Sequence, residues 1–175
     1  MSFFKELFRL IFGKHEEAAA PPPVVAPERM VAPGTNIHYH PELIDKLTGD
    51  HQVLLELFGE TSEAAGRGDV VEAAERLDAF RVALHDHLLT ENVKLYIYLT
   101  HFFAEDQQSH RLIHDFRHEM DAIGKVVLQF LGKYQDLAEH PELAPAFAKE
   151  LAAIGKVLVD RIKREEGTLY PLYTG

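Results

Sequence analysis

Four long stretches of this sequence repeat their apolar residues at helical spacing, and short breaks rich in glycine, aspartate or proline separate them. The first runs from about Pro41 to Ala65, with Ile44, Leu47, Leu54 and Phe58 on its stripe, and ends at the GRGD turn, Gly66 to Asp69. The second runs from about Val70 to Phe103 with Leu77, Phe80, Leu84, Leu88 and Leu95 inward. The third, about Asp106 to Tyr134, turns Ile113, Phe116, Met120, Ile123, Val127 and Phe130 inward. The fourth, about Glu142 to Leu169, does the same with Phe147, Leu151, Ile154, Leu158 and Leu169. Pro141 suits its first turn, and Pro171 is expected to stop it. No stretch alternates convincingly as a strand does. Short connections make an all-α, antiparallel up-down four-helix bundle the economical arrangement.

Histidines and carboxylates interrupt those apolar stripes. His51 falls on the first, His87 and Glu91 on the second, His110, His114 and His118 at steps of four on the third, and Glu165 and Glu166 on the fourth. Residues four apart share a helix face, so His87 and Glu91 point the same way. Burying such groups is costly unless they are paired or coordinated. A single core histidine is as readily a hydrogen-bonded packing residue as a ligand. Inward donors on all four helices favour metal binding, because bundles assemble metal sites from facing helices at one depth. The chain has no cysteine and eleven histidines, so imidazole and carboxylate must hold any metal, which suits iron, manganese or zinc.

The other bulk properties exclude more than they identify. A length of 175 residues supports one domain with a proper core. A formal net charge of -10 argues against general nucleic-acid affinity. No apolar run is long enough to span a bilayer. The absence of cysteine fits a cytoplasmic location. Residues 1–14 read as an amphipathic segment, 15–36 as a Pro/Ala-rich linker and 37–175 as the bundle. The apolar face of the N-terminal segment needs a cover, which a membrane surface, another protein or the bundle's flank would supply. Weak docking to a membrane surface or a protein is expected, and the membrane case would place a cytoplasmic chain peripherally at the inner face of the membrane. His38, Tyr39 and His40 read as a solvated lead-in, and Tyr96, Tyr98, Tyr170 and Tyr173 as packing residues near helix ends.

The segments DHQVLLELF, HLLTENVKLY and RIKREEGTLYPLY resemble the hemerythrin, or HHE cation-binding, family over essentially the whole chain after the linker. The resemblance implies a non-haem di-iron centre that binds or senses O2, NO or iron. Carried over residue by residue, it implies His51, His87, Glu91, His110 and Glu165 as metal ligands, with His114 as a further candidate. One position departs from the pattern. Four residues before Glu165, where the family pattern has a histidine, stands Arg161, which has no lone pair for a metal. Two readings follow: iron stays with one protein ligand fewer, or Arg161 replaces the metal's charge in a buried network with Glu91 and Glu165. The second reading goes with a metal-free bundle acting as a protein-interaction module. A third function, turnover of peroxide or nitric oxide or repair of iron centres, is compatible with open coordination positions, but no residue names a substrate.

Overall fold

The computed structural model describes residues 30–175. The segment expected to be amphipathic, 1–14, and the expected linker up to residue 29 lie outside the described residues. The described residues form four helical rods, as the periodicity predicts. The first rod is α1, Leu43–Arg67. The second is α2, Val70–Thr90, continuing through a π turn, Glu91–Tyr96, into α3, Ile97–Phe102. The third is α4, Gln107–Lys133. The fourth is α5, Ala144–Arg164, continuing through a second π turn, Glu165–Leu169, into α6, Tyr170–Thr174. None of the described helices is long and apolar enough to cross a membrane.

Local chemistry explains the boundaries. Gly68 adopts a left-handed φ of 77°, and the N–H groups of Gly68 and Asp69 close back onto the carbonyls of Ala65 and Ala64. That is a Schellman end, and glycine enters it without a Cβ clash. Asp69 then caps α2 by accepting from the Glu72 amide, and Asp106 caps α4 through the Gln108 amide and the Ser109 hydroxyl. The fourth rod does not stop at Pro171. The π turn resets the ladder, so Pro171 falls in the first turn of α6, where its missing N–H costs nothing.

Two large apolar clusters fill most of the bundle, beside a small one of Leu55, Val159 and Ile162. One contains Leu54, Phe58, Phe80, Leu84, Phe130 and Leu158. The other contains Leu47, Leu95, Tyr98, Phe116, Leu169 and Tyr173. Tyr39 packs into the second, stacked at 4.6 Å on Tyr173, whose hydroxyl accepts from the His40 amide at 2.7 Å. The lead-in segment is therefore a lid on that end and not a solvated tail, although His38 and His40 stay exposed. Within the expected linker, Ala32 is also buried against this cluster.

Gly155 of α5 packs directly against Phe58 of α1. A Cβ there would lie 2.6 Å from Cε1 of Phe58, inside van der Waals contact. Gly124, by contrast, has open space around it. Gly155→Ala should therefore displace the Phe58 ring and lower stability by about 1–3 kcal/mol, read from the urea midpoint. Gly124→Ala should be neutral or slightly stabilising, since alanine favours a helix.

Candidate metal centre

Between the two apolar clusters lies a layer of charge. On α1, His51 stands between Leu47 of one cluster and Leu54 of the other; on the second rod, His87 and Glu91 stand between Leu84 and Leu95. On the fourth, Arg161 and Glu165 stand between Leu158 and Leu169. All five polar residues are 1–3% exposed.

The π turns shape this layer. Glu91 opens one and Glu165 the other, each followed five residues on by a tyrosine, Tyr96 and Tyr170. On a regular α-helix, residues five apart diverge by about 140°. A π turn absorbs the extra residue, so glutamate and tyrosine both face inward. Single π turns inside α-helices occur frequently at functional sites.

His51, His87 and Glu165 form a group able to hold a metal ion, their ligand atoms within 4.8 Å of one another. Nε2 of His51 lies 3.3 Å from Oε2 of Glu165. Nε2 of His87 lies 4.0 Å from Oε2 of Glu91, which brings a fourth donor alongside. The Tyr170 hydroxyl spans the group, 3.2 Å from Nε2 of His51 and 3.2 Å from Oε1 of Glu91. Behind each imidazole stands another carboxylate. Nδ1 of His51 is 2.8 Å from Glu166, and Nδ1 of His87 is 3.7 Å from Asp50. Such outer carboxylates orient metal-bound histidines and raise their basicity. Two buried atoms of the layer, Nδ1 of His87 and Oε2 of Glu91, lack a hydrogen-bond partner. Unmet polar atoms of this kind call for an explanation: an ion in the group would take up Oε2 of Glu91, whereas Nδ1 of His87 faces Asp50 at 3.7 Å, outside the group.

Arg161 occupies the other side of Glu165. Its Nε donates to Oε1 of Glu165, Nη1 to Glu119 at 3.0 Å, and Nη2 to the Tyr96 hydroxyl at 2.7 Å. The guanidinium lies 4.7 Å from the centroid of the Phe116 ring, a cation–π contact. Arg161 makes its ion pair with Glu165 and Glu119, not with Glu91.

The electrostatics separate the two glutamates. Burial, reinforced by the charge of Glu165, pushes the Glu91 carboxyl up to about 8. Burial acts on Glu165 in the same sense, but the hydrogen bond from His51 and the charge of Arg161 outweigh it and hold it below the usual range. Burial disfavours a charged His51, yet its hydrogen bonds to Glu165 and Glu166 carry it up to about 9. Burial and the neighbouring His51 push His87 down to about 4.

The resemblance implies His110 and His114 as ligands, but the structure turns both to solvent on α4, along with His118. Steps of four keep the three histidines near one another on the helix, but that side is not the one carrying Ile113, Phe116 and Met120 into the core. The side chain of His114 is 73% exposed. What α4 offers the layer is half-buried Glu119, on the flank of the apolar stripe. Tyr96 and Tyr170 belong to the layer and not only to helix-end packing. The spacing signal for them is the repeated E-x-x-x-L-Y of ENVKLY and EEGTLY.

The family model described as hemerythrin HHE cation binding domain matches residues 42–173. Searches of curated proteins and of solved structures returned no match. The family match spans all four rods and every residue of the buried layer, and the chain belongs to the hemerythrin HHE cation-binding family.

Proposed function

We propose that this chain is a non-haem iron protein that binds or senses a small molecule such as O2 or NO, with His51, His87, Glu91 and Glu165 as its metal donors. The observation that carries the reading is the orientation of the two buried imidazoles. Each turns Nε2 toward the buried glutamates and Nδ1 toward an outer carboxylate, Glu166 or Asp50. Two imidazoles with carboxylate and open positions favour Fe(II) among the common divalent ions. Iron held there would supply a coordination position for the small molecule. The surrounding protein favours such a ligand: an apolar cavity of about 30 Å3 adjoins His51 and His87, walled by Leu54, Phe58, Leu84 and Leu158. That is room for one molecule the size of water, and its walls suit an uncharged diatomic.

The test is iron content and the optical spectrum of purified protein, with and without O2 or NO. Iron near one equivalent or more per chain, with a spectrum that responds to the gas, supports the reading. Protein produced with ample iron that carries almost none would overturn it. The outer carboxylates give a graded check. Glu166→Gln and Asp50→Asn should each weaken metal affinity by roughly 10–100-fold while leaving the direct donors in place. Glu166→Gln should have the larger effect, because its contact to Nδ1 is the shorter one. Unchanged affinity in both variants would mean that the imidazoles are not oriented from behind.

A further inference from the structure

The second and fourth rods carry the same local pattern. HLLTENVKLY, residues 87–96, aligns without a gap on RIKREEGTLY, residues 161–170. Glu91 matches Glu165, Leu95 matches Leu169 and Tyr96 matches Tyr170. Both glutamates open π turns, and both leucines and both tyrosines are buried. The layer thus takes the same motif twice, once from each rod, a two-fold plan in sequence and local structure. In that pairing, Arg161 takes the place of His87.

The two halves differ in chemistry. The half around His87 and Glu91 has two imidazoles, two carboxylates and two unmet buried atoms. In the half around Arg161, every guanidinium nitrogen is engaged, by Glu165, Glu119 and Tyr96. It contains no imidazole, since the α4 histidines face solvent. Tyr170, on the fourth rod, reaches across to His51 and Glu91, and Tyr96, on the second, reaches across to the guanidinium. Glu165 is shared, with Oε2 toward His51 and Oε1 toward Arg161.

We propose that Arg161 is a built-in cation standing in one half of this centre, so that the chain holds one divalent metal ion where the two-fold plan has places for two. This rests on the reading of the other half as a metal site. Arginine keeps its charge at any working pH and its planar fork suits carboxylates, so the guanidinium is a permanent counter-charge beside Glu165 and Glu119, the latter shared with Arg164. A second ion would have to displace a buried cation from three hydrogen-bonding partners and would meet only oxygen donors. Sharing Glu165 also means that the guanidinium fixes one oxygen of a metal donor, which makes Arg161 a positioning residue for the single ion.

The experiment is metal stoichiometry of the full chain. Protein is titrated anaerobically with Fe(II), and separately with Mn(II), by calorimetry, and the dialysed product is checked by elemental analysis. Wild type should saturate at one ion per chain. Arg161→His, which restores an imidazole beside Glu165 and Glu119, should double that to two, with helicity followed by circular dichroism. Arg161→Lys keeps a cation and should remain at one. Two ions in wild type would overturn the inference while leaving the metal reading standing. Uptake of none by wild type would overturn both. A folded Arg161→His variant that stays at one ion would show that the guanidinium is not what excludes the second. If that variant fails to fold, the wild-type count still decides the proposal.

Discussion

Arg161→Met should cost the fold about 3 kcal/mol, seen as a lower urea midpoint in the presence of a chelator. Removing one partner of a buried ion pair costs about 3–5 kcal/mol, because the other charge stays buried without compensation. Here that charge is Glu165, 2% exposed. The effect belongs at the lower end of the range, since Glu165 keeps its contact with His51 at 3.3 Å. Methionine retains much of the arginine stem's volume, so the loss reports charge more than packing. The control is Arg164→Met. Arg164 also pairs with Glu119 and lies 5.0 Å from the Phe116 ring, but its side chain is 51% exposed. Exposed pairs contribute only about 0–1 kcal/mol. Equal losses in the two variants would mean that Arg161 is not a buried counter-ion. The chelator matters because any metal bound to the native state adds stability of its own.

The fold was legible because its signal is redundant. Each rod repeats its apolar spacing over several turns, so one misplaced residue does not change the assignment. The candidate site was legible in part, for a related reason. His51, His87, Glu91 and Glu165 lie in phase with leucines that are themselves buried, such as Leu47, Leu84 and Leu158. On α4 the histidines are in phase with one another but not with Ile113, Phe116 and Met120. Spacing of four establishes a shared face without saying which face. The tyrosines were harder to read, since a regular helix would turn Tyr96 away from Glu91. Only a π turn brings both inward, and helical periodicity of 3.6 does not encode one. Pro171 misleads for the same reason: a reset of the ladder just before it turns a helix stop into a first turn.

His87→Leu should separate function from stability more sharply than any other change in the layer. Its Nδ1 has no hydrogen-bond partner, and burial holds the ring neutral by pushing its pKa down to about 4. The metal-free fold therefore gains little from the imidazole. Replacing an unsatisfied buried polar group by an apolar one of similar size is nearly neutral or stabilising. Leu84 and Leu88 lie one turn before and beside it, and both line the same cavity. With chelator present, the variant's unfolding free energy should stay within about 1 kcal/mol of wild type. Its metal affinity should fall by at least about tenfold, since a lost donor costs no less than a lost outer partner. Glu91→Gln extends the argument. Glutamine keeps the shape of a carboxyl that burial already pushes up to about 8, so the metal-free fold should again change little. It replaces a charged donor with a neutral amide, so metal uptake should again fall. A residue kept for packing would behave in the opposite way, losing stability and sparing the metal. If both variants unfold readily while their metal content matches wild type, His87 and Glu91 are structural and the donors lie elsewhere.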